Sequence, residues 1–198
     1  MNIKYLDNVM TSGEAAMHAI NKNKFGKKFY HLGPPRDNSI FEKVKDNITN
    51  IENCDFILCT GLLDEYENDL DYYKNFLVKH NSKKLICTNP DLTVHRGDKE
   101  EYCAGYIAKI FESLGGEVIY YGKPYKEIYR MCFNETEKVL TIGDNLRTDI
   151  KGANNLNKDC LFISDGVHRS EFNNNDELKT LLTKYKVKAN YFQKELQW

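Results

Sequence analysis

Short apolar runs alternate with longer amphipathic stretches along the chain. The apolar runs are the predicted strands: KKFYHLG from Lys27, DFILCTG from Asp55, KKLICTN from Lys83, EVIYYG from Glu117, KVLTIGD from Lys138 and CLFISDG from Cys160. Four stretches place apolar residues three and four positions apart and are the predicted helices: GEAAMHAINKN from Gly13, DEYENDLDYYKNFLVKH from Asp64, EYCAGYIAKIFESLG from Glu101 and YKEIYRMCFNE from Tyr125. This order predicts an α/β fold with parallel sheets, whose ligand site lies at the carboxyl ends of the strands.

Composition narrows the choice of partners. The chain has 198 residues, of which 28 are basic and 29 acidic, so neither nucleic acid nor an anionic membrane is an expected partner. No apolar run approaches the roughly 20 residues that cross a bilayer, and MNIKYLDNVM lacks the order of a secretory signal. We therefore expect a cytoplasmic protein.

The cysteines have no CxxC spacing and are predicted to be buried thiols: Cys54, Cys59, Cys87, Cys103, Cys132 and Cys160.

The strongest chemical signal lies in VLTIGDNLRTDIKGANN, residues 139–155. A predicted strand ends at Gly143-Asp144, and Asp149 follows at the start of a predicted helix that Thr148 could cap. Two nearby carboxylates favour a cation with hard oxygen ligands, such as Mg²⁺. The alternative is that both acids only stabilise the start of the helix. Lys123, at the end of the preceding strand, favours the chemical interpretation because a lysine there can neutralise a phosphate.

These residues carry a family resemblance. GKPYKEIY, followed about twenty residues later by GDNLRTDI, resembles the last two motifs of the haloacid dehalogenase (HAD) superfamily, and the match is closest to its class IIA capped, phosphatase-like hydrolases. The resemblance extends over nearly the whole chain. It implies a Rossmann-like core, here partial because its opening strand is absent, with an inserted α/β cap of the C2 type. Residues 1–10 would be residual core or linker, 11–88 the cap, and 89–198 the carboxyl-terminal part of the core.

The resemblance also implies roles for individual residues. Lys123 would stabilise the nucleophile and the phosphoryl group, and Asp144 would bind Mg²⁺. Asp149 would hold the metal site in place by contacting the residues around the ion. MTSGEAAMHAI, from Met10, is similar to the start of the cap, and KKLICTNPDLTVHRG to the return to the core, which would put Asn89, Pro90 and Asp91 near the substrate. The substrate would be a phosphorylated small molecule, such as a sugar phosphate.

The family's Asp-x-Asp-Gly strand, which supplies the nucleophile and the general acid, has no counterpart in this sequence. We therefore expect a truncated or split form that is inactive alone and needs a separately encoded amino-terminal fragment, or that forms a homodimer. Two alternatives stay open: a non-catalytic module that binds Mg²⁺ and a phosphorylated ligand, and a gene remnant.

Other acids and histidines are predicted to have no part in the chemistry. Asp69-Leu70-Asp71 is predicted to lie on a solvated helix face, and Asp165 to form a turn. The histidines lack metal-ligand spacing and are predicted to have packing or surface roles, although His168, which follows a strand end, could line the mouth of the site with Arg169.

Overall fold

The computed structural model describes residues 9–96, 99–134 and 136–197, and the chain forms two compact units. The first unit ends at Gly122 and the second begins at Lys123. None of the described helices is long and apolar enough to cross a membrane.

The first unit contains helices on a parallel sheet. Its helices are α1 (Ser12–Asn21), α2 (Leu70–Leu77) and α3 (Ala104–Ser113), and its strands are β1 (Phe29–Leu32), β2 (Phe56–Cys59), β3 (Lys84–Cys87), β4 (Thr93–Arg96), β5 (Lys99–Tyr102) and β6 (Glu117–Tyr120). The parallel sheet has the order β1-β2-β3-β6, and β4 and β5 form a separate antiparallel hairpin. Short 3₁₀ segments complete the unit: Pro35–Asn47, Asp64–Tyr66 and Val78–His80.

Burial along its whole length explains why β2 was predicted from an apolar run. All four residues of β2 are buried, as expected of a central parallel strand covered on both faces. Phe56 of β2 stacks on Phe29 of β1 at 5.7 Å between ring centroids, and Phe41 meets Phe29 edge to face at 5.6 Å. Such aromatic pairs add to the apolar burial that holds the sheet together.

Hydrogen bonds at the helix starts fix where α1 and α2 begin. Thr11 and Glu14 form a capping box, in which the Glu14 N–H donates to Thr11 Oγ1 and Glu14 accepts from the Thr11 N–H. Asp69 caps α2 by accepting from the Tyr72 N–H, and Asp71 is exposed and pairs with Lys74. The prediction of a solvated helix face thus holds for Asp71, whereas Asp69 is the cap of that helix.

The second unit is smaller and also parallel. Its elements are α4 (Lys126–Tyr129), β7 (Leu140–Gly143), a π-helical turn (Leu146–Ile150), α5 (Lys151–Asn155), β8 (Asp159–Ile163), α6 (Asn175–Tyr185) and β9 (Tyr191–Gln193). The sheet order is β7-β8-β9, so β7 is an edge strand within the described residues. One sheet face carries the core of the unit: Leu146, Ile150, Ala153, Cys160, Phe162, Leu178, Leu181 and Val187.

The other sheet face of the second unit exposes apolar side chains. Leu140 and Ile142 alternate along β7 and are 48% and 42% exposed. Leu161 of β8, which pairs with Ile142, is only partly buried, as is Ile163 two positions further along β8, and Tyr191 of β9, which pairs with Leu161, is 56% exposed. This face is an apolar strip with little cover.

The α/β class and all six predicted strands are confirmed. Four predictions were wrong in detail. The helix predicted from Glu101 begins at Ala104, because Glu101 and Tyr102 lie in β5, and the helix predicted from Tyr125 is only the single turn α4. The helix predicted from Asp64 is broken into two 3₁₀ turns with α2 between them. Cys132 is exposed, whereas the other five cysteines are buried, and all six are free thiols.

The predicted boundary at residues 88 and 89 stays a prediction. It falls inside the parallel sheet of the first unit, because β6 pairs with β3 in register from Lys84 and Glu117 onwards.

Asp55 gives the first unit a testable pH dependence. Its carboxylate accepts the N–H groups of Lys28 and Lys27, and these bonds hold its pKa below the ordinary value. A lowered folded-state pKa stabilises the fold above the unfolded pKa, and that stability is lost as the pH falls through the folded value. We expect the urea midpoint of Asp55→Ala to depend less on pH below about 4 than that of the wild type. Asp46→Ala, at another exposed aspartate of the unit, is the control, and an equal change in both variants would contradict the assignment.

Candidate functional site

The carboxyl end of β7 brings two acids and a turn together. β7 ends at Gly143, Asp144 follows, and the Asn145 side chain accepts the Arg147 N–H at 2.9 Å to begin the π-helical turn. The N–H groups of Asp149 and Ile150 both donate to the Asn145 carbonyl, at 2.9 and 3.2 Å. Asn145, not Thr148, is therefore the capping residue here, and Thr148 lies inside the turn.

The Asp149 carboxylate is the centre of this arrangement. Its side chain is 11% exposed, and it accepts from Lys123 Nζ at 2.6 Å and from the Asn145 N–H at 3.1 Å. Gly143 makes this position possible, because a Cβ on residue 143 would collide with the Asp149 side chain. The carboxylate thus joins the strand end, its own turn and the lysine.

The loop after β8 binds the Asp144 carboxylate. Its Oδ2 accepts the Val167 N–H at 3.0 Å, and Gly166 leaves the space that the carboxylate fills, since a Cβ there would collide with Oδ2. Within the described chain, Oδ1 of Asp144 takes no hydrogen bond. One oxygen of Asp144 is therefore fixed, and the other is left for a ligand.

Lys123 and Tyr129 complete the neighbourhood of Asp149. The Lys123 side chain is 52% exposed, so its ammonium reaches solvent while it pairs with Asp149. Tyr129 is 8% exposed, and its hydroxyl has no hydrogen-bond partner in the part of the chain described. Burial, followed by the charge of Asp149, raises the Tyr129 pKa, so the phenol stays protonated at neutral pH.

Magnesium fits this end of the sheet only in part. Asp144 offers a carboxylate oxygen, the donor type that Mg²⁺ prefers, but both Asp149 oxygens already take hydrogen bonds. Among the described residues, no three His, Cys, Asp or Glu side chains are arranged to hold a metal ion. Asp144 is therefore the candidate ligand, and Asp149 suits a supporting position behind it.

Asn89, Pro90 and Asp91 lie in the first unit, directly after β3. Asn89 Oδ1 accepts the Asp91 N–H at 3.2 Å, which is turn geometry, and the Cys87 thiol donates to the Asn89 carbonyl at 3.2 Å. Asn89 and Asp91 line a cavity of about 330 Å³ at the carboxyl ends of the parallel strands, with Arg36, Thr60 and Lys99. A substrate role for these residues stays a prediction.

His168 lies beside the site, and the sequence left its role open between packing, a surface loop and the mouth of the site. It is fully buried, its Nε2 accepts the Leu146 N–H at 3.1 Å, and its Nδ1 lies 2.6 Å from Glu171 Oε1. No spacing of histidines signalled this contact, because it depends on the path of the loop after β8. Asp165 lies two residues after the end of β8, and its N–H donates to the carbonyl of Lys194, which follows β9.

Comparisons with known proteins point to one family of hydrolases. A family model described as HAD-hydrolase-like matches residues 120–188, the stretch that includes Lys123, Asp144 and Asp149. The ribonucleotide monophosphatase NagD of Escherichia coli (strain K12) is 28% identical over 165 residues, which are 81% of this chain and 64% of that protein. This chain thus spans less than two thirds of that curated relative's length.

Solved structures show the same fold. A hydrolase of the haloacid dehalogenase-like family from Brucella suis 1330 superposes with a TM-score of 0.79 and 26% identity, covering 99% of this chain and 74% of the other. The p-nitrophenyl phosphatase from Archaeoglobus fulgidus, at 17% identity and a TM-score of 0.71, covers 97% of this chain and 75% of the other, and shows likeness of fold alone. From the family match, these relatives and the shared fold, we conclude that the chain is similar to hydrolases of the haloacid dehalogenase-like family in both sequence and fold.

Proposed function

We propose that the chain is the cap and carboxyl-terminal core of a class IIA hydrolase whose reaction is Mg²⁺-dependent hydrolysis of a phosphate monoester. The observation that carries this proposal is the Lys123–Asp149 pair beside Asp144 at the end of β7. A half-exposed ammonium and a carboxylate with one open oxygen are suited to a phosphoryl group and its metal ion. The NagD relative is named as a monophosphatase, which supports the same class of substrate.

Each residue has a distinct part in the proposed reaction. Asp144 would hold Mg²⁺, which when bound neutralises charge on the transferring phosphoryl group. Lys123 would bind a phosphoryl oxygen, and Asp149 would keep the lysine in place. Asn89, Pro90 and Asp91 would contact the rest of a phosphorylated small molecule, such as a sugar phosphate.

The first unit is the proposed cap, and the pairing of its strands supports a proposal for where that cap ends. Because β6 pairs with β3, the division at Gly122 and Lys123 keeps the sheet whole, whereas a boundary after Thr88 would cut it. We therefore propose a cap that continues to Gly122.

A nucleophilic aspartate has to come from outside the 198 residues in this proposal. The sequence contains no Asp-x-Asp-Gly, and its Asp69-x-Asp71 lies at the start of α2. The apolar strip supports a further partner segment that packs on this sheet. Leu140 and Ile142 are exposed on the edge strand β7, so another strand and helix could pack against them. A supplied amino-terminal segment is the proposed neighbour, and a second copy of the chain is the competing one.

The first prediction here concerns turnover. We expect the purified chain with Mg²⁺ to leave p-nitrophenyl phosphate intact, and to hydrolyse it when mixed with a segment that carries the family's Asp-x-Asp-Gly strand. The assay follows release of p-nitrophenol, and a segment with both aspartates changed to asparagine is the control. Ile142→Lys should weaken rescue, whereas Val78→Lys, at an equally exposed apolar residue of the first unit (46% exposed), should not.

Three other results would change the proposal. Turnover by the chain alone would show that a residue of this chain is the nucleophile. Mg²⁺-dependent binding of phosphate without any rescue would favour a binding module instead of an enzyme. A dimer that Ile142→Lys dissociates would assign the exposed strip to a second copy.

The second prediction concerns the lysine. Lys123→Met removes the cation from a mostly buried carboxylate, and we expect it to lower the free energy of unfolding by about 1–2 kcal/mol. Adding Asp149→Asn should recover part of this loss, because the amide carries no charge that needs a partner. Urea denaturation followed by circular dichroism measures both, and Lys126→Met, at an exposed lysine of the same unit, is the control. Additive losses in the double variant would show that the pair is not coupled.

A further inference from the structure

Five residues of the second unit close a ring of hydrogen bonds behind the Asp144 turn. Leu146 N–H donates to His168 Nε2 at 3.1 Å, and His168 Nδ1 lies 2.6 Å from Glu171 Oε1. The Tyr185 hydroxyl donates to Glu171 Oε2 at 3.2 Å and accepts from Arg147 at 2.8 Å. The ring therefore begins and ends on neighbouring residues of the π-helical turn. We call it the His168 ring, made of Leu146, Arg147, His168, Glu171 and Tyr185.

The partners of His168 fix its tautomer. A backbone N–H can only donate, so Nε2 must be the unprotonated acceptor, and Nδ1 must carry the proton that points at Glu171. Burial acts to raise the Glu171 pKa, but the interactions with His168, followed by those with Tyr185 and Lys184, hold it below its ordinary value. Glu171 is thus a carboxylate, and His168 is a neutral imidazole with a defined orientation.

The same loop also holds Asp144 directly. Val167, the neighbour of His168, donates its N–H to Asp144 Oδ2 at 3.0 Å, and Gly166 leaves room for that carboxylate. One short segment, residues 166–168, therefore binds the acid and also the backbone two residues after it. Two attachment points limit both translation and rotation of the strand end.

We propose that His168 is a positioning residue, which holds the Asp144 carboxylate in place by binding the Leu146 N–H. The metal part of this inference rests on the proposed function, in which Asp144 is a ligand of Mg²⁺. Without the His168 acceptor, the buried Leu146 N–H has no partner, so the turn shifts to satisfy it. The shift moves the Asp144 backbone, and the affinity for the metal falls.

The test compares two substitutions with a control in the full chain. His168→Leu removes the acceptor and keeps the bulk, and His168→Gln restores an amide oxygen as acceptor. Asn154→Leu is the control, because Asn154 also bonds backbone groups within this unit, the Lys188 N–H and carbonyl at 2.7 and 2.8 Å, but takes no part in the His168 ring. Mn²⁺ is the probe for the Mg²⁺ site, and its binding is titrated by electron paramagnetic resonance.

We expect His168→Leu to weaken Mn²⁺ binding about 10-fold or more, as loss of a residue that supports a metal ligand commonly does. His168→Gln should return the affinity to within about 3-fold of the wild type, and Asn154→Leu should leave it unchanged. Hydrogen exchange of the Leu146 amide, followed by NMR, should accelerate in His168→Leu alone. The ¹⁵N spectrum of wild-type His168 should show the proton on Nδ1.

The readouts separate this proposal from the function it rests on. If the wild type binds no Mn²⁺, the metal site of the proposed function fails, while amide exchange and the tautomer still decide the role of His168. Equal Mn²⁺ affinity in His168→Leu and the wild type overturns the positioning role. So does a proton on Nε2, or a glutamine variant that folds like the wild type but binds Mn²⁺ no better than the leucine variant.

Discussion

The Asp149 carboxylate is the interaction on which the second unit's site depends. It is mostly buried, so it needs donors, and it takes them from two separate places: the Lys123 ammonium and the Asn145 backbone. A buried carboxylate with fewer partners would be costly. Because this charge needs partners, Lys123, which precedes α4, lies at the end of β7. The same carboxylate closes the turn that precedes α5 by accepting the Asn145 N–H.

Neighbouring features follow from that constraint. Residue 143 has to be glycine, because the carboxylate occupies the space of its Cβ. The π-helical turn results from the Asn145 carbonyl accepting two N–H groups, of which one belongs to Asp149 itself. Asp144 is left with one fixed oxygen and one open oxygen, an asymmetry suited to binding a cation from one side.

Sequence patterns predicted the parts of the fold whose signals are local. β2 and β3 read as apolar runs because buried parallel strands have little need for polar positions. β4 and β5 were missed because Thr93–Arg96 and Lys99–Tyr102 are mostly polar and pair only with each other. The start of α6 lies in an asparagine-rich stretch that resembles a loop, although Asn174 is its cap.

The same distinction holds for the site. Lys123, Asp144 and Asp149 were found because each follows an apolar run at a spacing that resembles a known motif. Their hydrogen bonds to Asn145 and Val167 were not predictable, because they depend on the conformation of two loops. His168 was beyond the reach of spacing arguments, since its contacts with Leu146 and Glu171 result from three-dimensional packing.

The unequal exposure of the cysteines has a practical consequence. Burial raises the pKa of the Cys59 thiol well above its usual range and that of Cys87 to about 12, so neither forms a thiolate at neutral pH. Cys132, just after α4, is the one cysteine of the six with an exposed side chain. Burial raises the Cys132 pKa as well, but its side chain is exposed, so it is the cysteine that a maleimide fluorophore or spin label would reach, on the unit that carries Asp144.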